Sequence, residues 1–145
     1  MATSIQMAFD SADPARLAAF WAAALHYIVP PPPDGFAKWD DWLRDAGVPE
    51  ERWNDIAAIQ DPEGVGPRIY FQRVPEAKTA KNRVHVDVNA GGGRDVPLEE
   101  RRANVDAEVA RLKGLGASDE RGSMEQFGAY WVRMNDPVGN EFCVQ

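Results

Sequence analysis

Apolar and polar residues alternate strictly along "NRVHVDVNA", residues 82–90. Val84, Val86 and Val88 fall on one side and His85, Asp87 and Asn89 on the other, the period-2 pattern of a half-buried strand. Residues 5–10 repeat it, with Ile5, Met7 and Phe9 set against Gln6, Ala8 and Asp10. "IAAIQ" (56–60) and "RIYFQRV" (68–74) predict two further strands, joined by the turn residues "DPEGVG" as a hairpin. "YWVRMN", "DPVGN" and "EFCVQ" predict a second strand–turn–strand at the C-terminus. Between these segments the period changes. Leu17, Phe20, Trp21 and Ala24 recur at helical spacing, with Asp13 as N-cap and Pro14 at the first helical position. The proline run in "VPPPPDG" (29–35) ends that helix. Residues 97–113 predict a second long helix with Leu98, Val105, Val109 and Leu112 as its stripe. Its acidic first turn (Glu99, Glu100) and basic last turn (Arg111, Lys113) suit the helix dipole, and Gly114 and Gly116 stop it. Residues 36–54 predict two short helices, one stopped by Gly47 and one started at Pro49.

The elements repeat. Strand, helix and hairpin occur twice, and both hairpins turn on the same motif, "DPEG" at 61–64 and "DPVG" at 136–139. An amide residue, Gln60 or Asn135, precedes each turn, and each following strand reaches a glutamine, Gln72 or Gln145. A duplicated βαββ(β) unit is the economical reading. Module 1 is expected over about 4–74, with an aromatic insertion at 29–55, and module 2 over about 82–145.

With 145 residues and a net charge of −7, the chain is expected to be a single domain with no basic face for nucleic acid or an anionic membrane. One cysteine, Cys143, excludes an internal disulfide. No signal peptide or membrane-length apolar run is visible, so a cytoplasmic location is expected.

"FDSADPARLAAFW", "NRVHVDV", "VDAEVARLKGLGA" and "NDPVGNEFCVQ", taken in order, resemble the vicinal oxygen chelate superfamily. Within it the chain is similar to the small proteins of glyoxalase, bleomycin-resistance and extradiol dioxygenase type. The resemblance implies an α+β fold: two tandem βαβββ modules forming a curled mixed sheet around a central cleft, with helices on the convex side. His85, Asp87, Asn89 and Asp10 would then line the cleft, with Arg68, Tyr70, Gln72 and Cys143. Metal-dependent members take His or Gln from the first strand of each module and Glu from the closing strand. By position this implies Gln6, His85 and Glu141 as ligands to a divalent zinc, nickel, manganese or iron ion, with His85 and Glu141 as the catalytic pair. The fourth position falls on Arg68 or Tyr70, neither of them a carboxylate, so the set is incomplete.

Each feature has a plainer reading. Glu141 could be salt-bridged to Arg68 without chemistry. Trp39, Trp42, Trp53 and Phe36 either seal the insertion onto the body or form an aromatic lid. His26 suits a helix C-terminus, "GGGRD" (91–95) lacks phosphate-loop spacing, and Cys143 has no base placed beside it in sequence. Two functions remain open: a lyase, isomerase or dioxygenase, metal-assisted or not, and a non-catalytic protein that sequesters a drug or metabolite. In either, the partner is a small molecule. A homodimer through module edges or the insertion is a further expectation.

Overall fold

The computed structural model describes residues 3–119 and 121–145. The chain forms two compact units, Met1–Ala77 and Lys78–Gln145. The fold is mixed α+β, as expected, with two open mixed sheets.

The first unit contains β1 (Gln6–Ser11), α1 (Pro14–Leu25), α2 (Trp39–Asp45), a 3-10 turn at Glu50–Arg52, β2 (Ile56–Ile59) and β3 (Arg68–Arg73). Its sheet order is β1-β3-β2, with β1 parallel and β2 antiparallel to β3. A parallel pair needs a long crossover, which α1 and the insertion supply. Asp13 caps α1 by accepting from the Arg16 N–H, with Pro14 in the first turn. Asn54 pins this end of the helix: its amide donates to Asp13 at 2.8 Å and its oxygen accepts from the Ala15 N–H at 2.8 Å. Leu17, Phe20, Trp21 and Ala24 are buried, as are Ile69 and Phe71 beneath them. Phe9 packs its ring 5.6 Å from both Trp21 and Phe71.

The second unit contains β4 (Val86–Val88), α3 (Leu98–Gly114), β5 (Ser123–Gln126), β6 (Ala129–Asn135) and β7 (Glu141–Val144), in sheet order β4-β7-β6-β5. Here β4 pairs parallel with β7, as β1 does with β3. Val132, Met134, Phe142 and Val144 lie buried with Val105, Val109 and Leu112 of α3. Opposite residues of paired strands share a face. The other face therefore carries Asp87, Cys143 and Arg133 in one row.

The expected tandem βαβββ order holds in the second unit only. In the first, the connection from α1 to β2 runs through the insertion, and a single bridge, Ile28 to Gln60, stands beside β2. Its counterpart in the second unit joins Ser118 to Asn135. Both bridges join a residue three or four positions past a helix to the amide residue before a D-P-x-G turn. The turns themselves match. Asp61 accepts from the N–H groups of Glu63, Val65 and Gly66, and Asp136 from those of Val138 and Asn140. These backbone donors hold the Asp61 carboxyl below its ordinary range.

Two expected core positions fail. Val84 is 74% exposed and precedes β4, and Ile5 is 72% exposed and precedes β1. Both strands are shorter than their alternation, because pairing with the partner strand ends before the pattern does. Loss of buried methylenes from Leu112→Ala should cost about 2–5 kcal/mol, whereas Val84→Ala should stay within about 0.5 kcal/mol. Urea denaturation of the two variants checks this, and equal effects would contradict the burial pattern.

Candidate functional site

The residues singled out from sequence divide into two sets, one on each sheet. In the first unit, Gln6, Ala8 and Asp10 stand opposite Arg68, Tyr70 and Gln72. This places Arg68, rather than Tyr70, beside Gln6. The Arg68 guanidinium donates to Gln6 Oε1 at 2.5 Å and lies over the Tyr70 ring, 5.7 Å from its centroid. Gln72 donates to Asp10 Oδ1 at 2.8 Å. On the same face, Ile56 and Ala58 of β2 stand opposite Gln72 and Tyr70. A cavity of about 750 Å³ opens here, lined by Tyr70, Gln72 and Ile56 with Asp55, Arg73 and Val74. Asp55 and Arg73 pair at 3.7 Å at its rim. Asp55, Ile56 and Arg73 escaped the sequence reading, since nothing in their spacing marks a cavity wall.

In the second unit, Glu141 opens β7. Its Oε2 accepts from the Asn82 N–H at 2.9 Å and from Lys78 Nζ at 3.1 Å, while Oε1 accepts from Lys78 Nζ at 3.3 Å. The Asn82 N–H, with Lys78 adding to it, holds the Glu141 carboxyl at about 2. Arg68, the partner that a plain salt-bridge reading would give Glu141, donates to Gln6 within the first unit. Lys78 lies in the polar connector before β4, where no periodicity flags it.

His85 immediately precedes β4 and does not meet the Glu141 carboxylate in any hydrogen bond of the described residues. Its Nε2 stands 3.0 Å from Cys143 Sγ and 3.7 Å from Asp87 Oδ1. Asn89 accepts from Gln145 Nε2 at 3.1 Å. Thiol and carboxylate face the same ring nitrogen. A nucleophilic relay needs the carboxylate on the nitrogen away from the thiol, so these three groups are not a Cys–His–Asp relay. Cys143 is buried, and this burial, with Asp87 adding to it, raises its thiol above the ordinary range.

Gln6, His85 and Glu141 are each engaged with other groups. Gln6 is committed to a guanidinium, Glu141 to an ammonium and a backbone N–H, and His85 to a thiol. The tryptophans are likewise engaged within the insertion. Trp39 Nε1 donates to the Pro30 carbonyl and Trp53 Nε1 to the Val48 carbonyl. Trp39 and Trp42 meet edge to face, and Arg44 lies over Trp53. Among the described residues, no helix is long and apolar enough to cross a membrane.

Two opened half-sheets, each with a parallel first-to-last strand pair and a helix on one face, define the class. The chain belongs to the glyoxalase-like domain family, whose model matches residues 6–145. No curated protein matches it. Solved structures share the fold. A glyoxalase/bleomycin resistance protein/dioxygenase family enzyme from Burkholderia phytofirmans is 13% identical with a TM-score of 0.61, over 96% of this chain and 94% of its own. A lactoylglutathione lyase from Agrobacterium tumefaciens is 14% identical with a TM-score of 0.56, over 99% and 92%. The fosfomycin resistance protein FosX from Listeria monocytogenes, an E126Q mutant complexed with Mn(II) and a dihydroxypropylphosphonic acid, is 11% identical with a TM-score of 0.60, over 100% and 90%.

The Glu141 carboxyl is lowered in the folded chain, so its stabilisation is whole above the unfolded value near 4.5 and is lost as pH falls toward about 2. Glu141→Gln should flatten this part of the acid-unfolding curve and cost about 1–2 kcal/mol at pH 7. Denaturant titrations at several pH values check both effects.

Proposed function

We propose that this glyoxalase-like protein binds a small organic molecule without a divalent ion at Gln6, His85 and Glu141. One observation carries the reading: the Glu141 carboxylate is already neutralised by Lys78. An ion bonded to Glu141 would lie within about 4 Å of that ammonium. The repulsion would be on the order of 8 kcal/mol at an effective dielectric near 20. Lys78 and the ion therefore exclude each other. Arg68 on Gln6 supplies a second cation where the family pattern calls for a ligand.

The recognition surface in this reading is the face of the first sheet away from α1. Its cavity, about 750 Å³, is of ordinary small-ligand size. Tyr70 and Ile56 offer an aromatic ring and an apolar edge. Gln72 and the Asp55–Arg73 pair offer hydrogen-bonding groups of both kinds. The complementary ligand is partly apolar and carries polar substituents. The similar FosX structure, which holds a small phosphonic acid, supports the small-molecule class and leaves the ligand itself open. Binding without chemistry is favoured because the expected catalytic pair, His85 and Glu141, is not joined: each is committed to other groups.

A panel of small molecules screened by thermal shift in the presence of chelator tests this. Ligands should raise the melting temperature with chelator present, and Tyr70→Ala should weaken them at least tenfold, about 1.4 kcal/mol. Ligands that require added divalent metal, or that bind Tyr70→Ala as well as the wild type, would defeat the reading.

A further inference from the structure

We infer that the second unit binds a soft divalent ion of the zinc type through His85 Nε2, Cys143 Sγ and an Asp87 carboxylate oxygen. This is a donor set different from the Gln6, His85 and Glu141 positions. It is independent of small-molecule binding, which uses residues of the first unit.

The three ligand atoms all lie within 4.8 Å of one another. Tetrahedral zinc with bonds of about 2.0–2.1 Å to nitrogen, 2.0–2.2 Å to oxygen and 2.3 Å to sulfur sets its donors about 3.3–3.6 Å apart. The nitrogen–oxygen distance is 3.7 Å, already close to that. The nitrogen–sulfur distance is 3.0 Å and must open by about 0.5 Å. The frame is rigid where it needs to be. Asp87 and Cys143 stand opposite each other in the parallel β4–β7 pair. Cys143 is flanked along β7 by the buried Phe142 and Val144, which fix its direction. His85, just before β4, brings its Nε2 to 3.7 Å from Asp87 Oδ1, so the two side chains share one side.

Hydrogen bonding alone serves this triangle badly. One imidazole nitrogen carries at most one proton. If Nε2 donates to the carboxylate, it does not donate to sulfur. If it accepts from the thiol, its lone pair faces the Asp87 carboxylate. A cation at the centre satisfies all three donors at once. Thiolate and carboxylate would supply two negative charges against the ion's two positive ones. Arg133, in register with Cys143, and the charge of Lys81 favour the thiolate against the larger effects of burial and Asp87, and the guanidinium must turn aside when an ion takes the sulfur. The Asp87 side chain is 47% exposed, which leaves water access to a fourth position. Sulfur and imidazole select zinc over manganese or magnesium.

The test is spectroscopic. The full chain, stripped with chelator, is titrated with Co(II) and then Zn(II). Cys143 is the single cysteine, so any thiolate-to-cobalt charge-transfer band reports this residue alone. The expected result is such a band with intense tetrahedral d–d absorption, saturating at one ion per chain and bleached by Zn(II). Cys143→Ser and His85→Ala should remove the band and weaken Zn(II) binding at least tenfold. Glu141→Gln should keep both. If Cys143→Ser does not fold, the wild-type band decides alone. Absence of the band at saturating Co(II), or binding that survives Cys143→Ser and disappears in Glu141→Gln, overturns the inference.

Discussion

Parallel pairing of each unit's opening strand with its closing strand is the constraint from which the other features follow. It sets Gln6 beside Arg68 and Asp87 beside Cys143. Because side chains alternate across a strand, one register decides the face of every residue along the pair. A one-residue slip in β7 would turn Phe142 and Val144 out of the core and bring Glu141 and Cys143 into it. Burying two ionisable groups while exposing two large apolar ones is strongly unfavourable. The packing of Val105, Val109 and Leu112 of α3 on this sheet thus also fixes the polar groups on its far side.

That logic explains how far the sequence could be read. The helices were legible because their signals are local: the Asp13–Pro14 start, the apolar stripes and the glycine stops all act within one or two turns. The repeat was legible because Asp61 and Asp136 do the same work, each carboxylate gathering backbone N–H groups of its own turn. Strand ends were not. Val84 and Ile5 continue the alternation, but no partner residue extends the ladder to them, and pairing is a tertiary property. The missing strand of the first unit has the same origin. Its amide residue, Gln60, keeps its bridge to Ile28, while the insertion takes the path that leads to β5 in the second unit.

The site was legible by face and not by partner. Period 2 grouped His85 with Asp87 and Glu141 with Cys143. It could not say that Lys78, from an unpatterned connector, would neutralise Glu141, or that Arg68 would take Gln6. Long basic side chains reach several residues from their backbone positions, so their destinations leave no spacing in the sequence. The same holds for the Asp55–Arg73 pair at the rim of the first unit's cavity.

Lys78 and Arg68 each place a positive charge beside a residue singled out from the sequence. An oxygen-rich ligand set stabilises a hard ion because its carboxylates are otherwise unpaired. With Lys78 and the Asn82 N–H on it, the Glu141 carboxylate contributes to folding stability. Cys143 is in a different electrostatic position. It is a buried thiol held neutral, beside an imidazole and a carboxylate that converge on one point. Deprotonating it needs a compensating cation within bonding distance, which an ion at that point provides. Side chains on one face of a sheet can change while every strand stays in register, which is why membership of the family by itself assigns neither metal nor reaction.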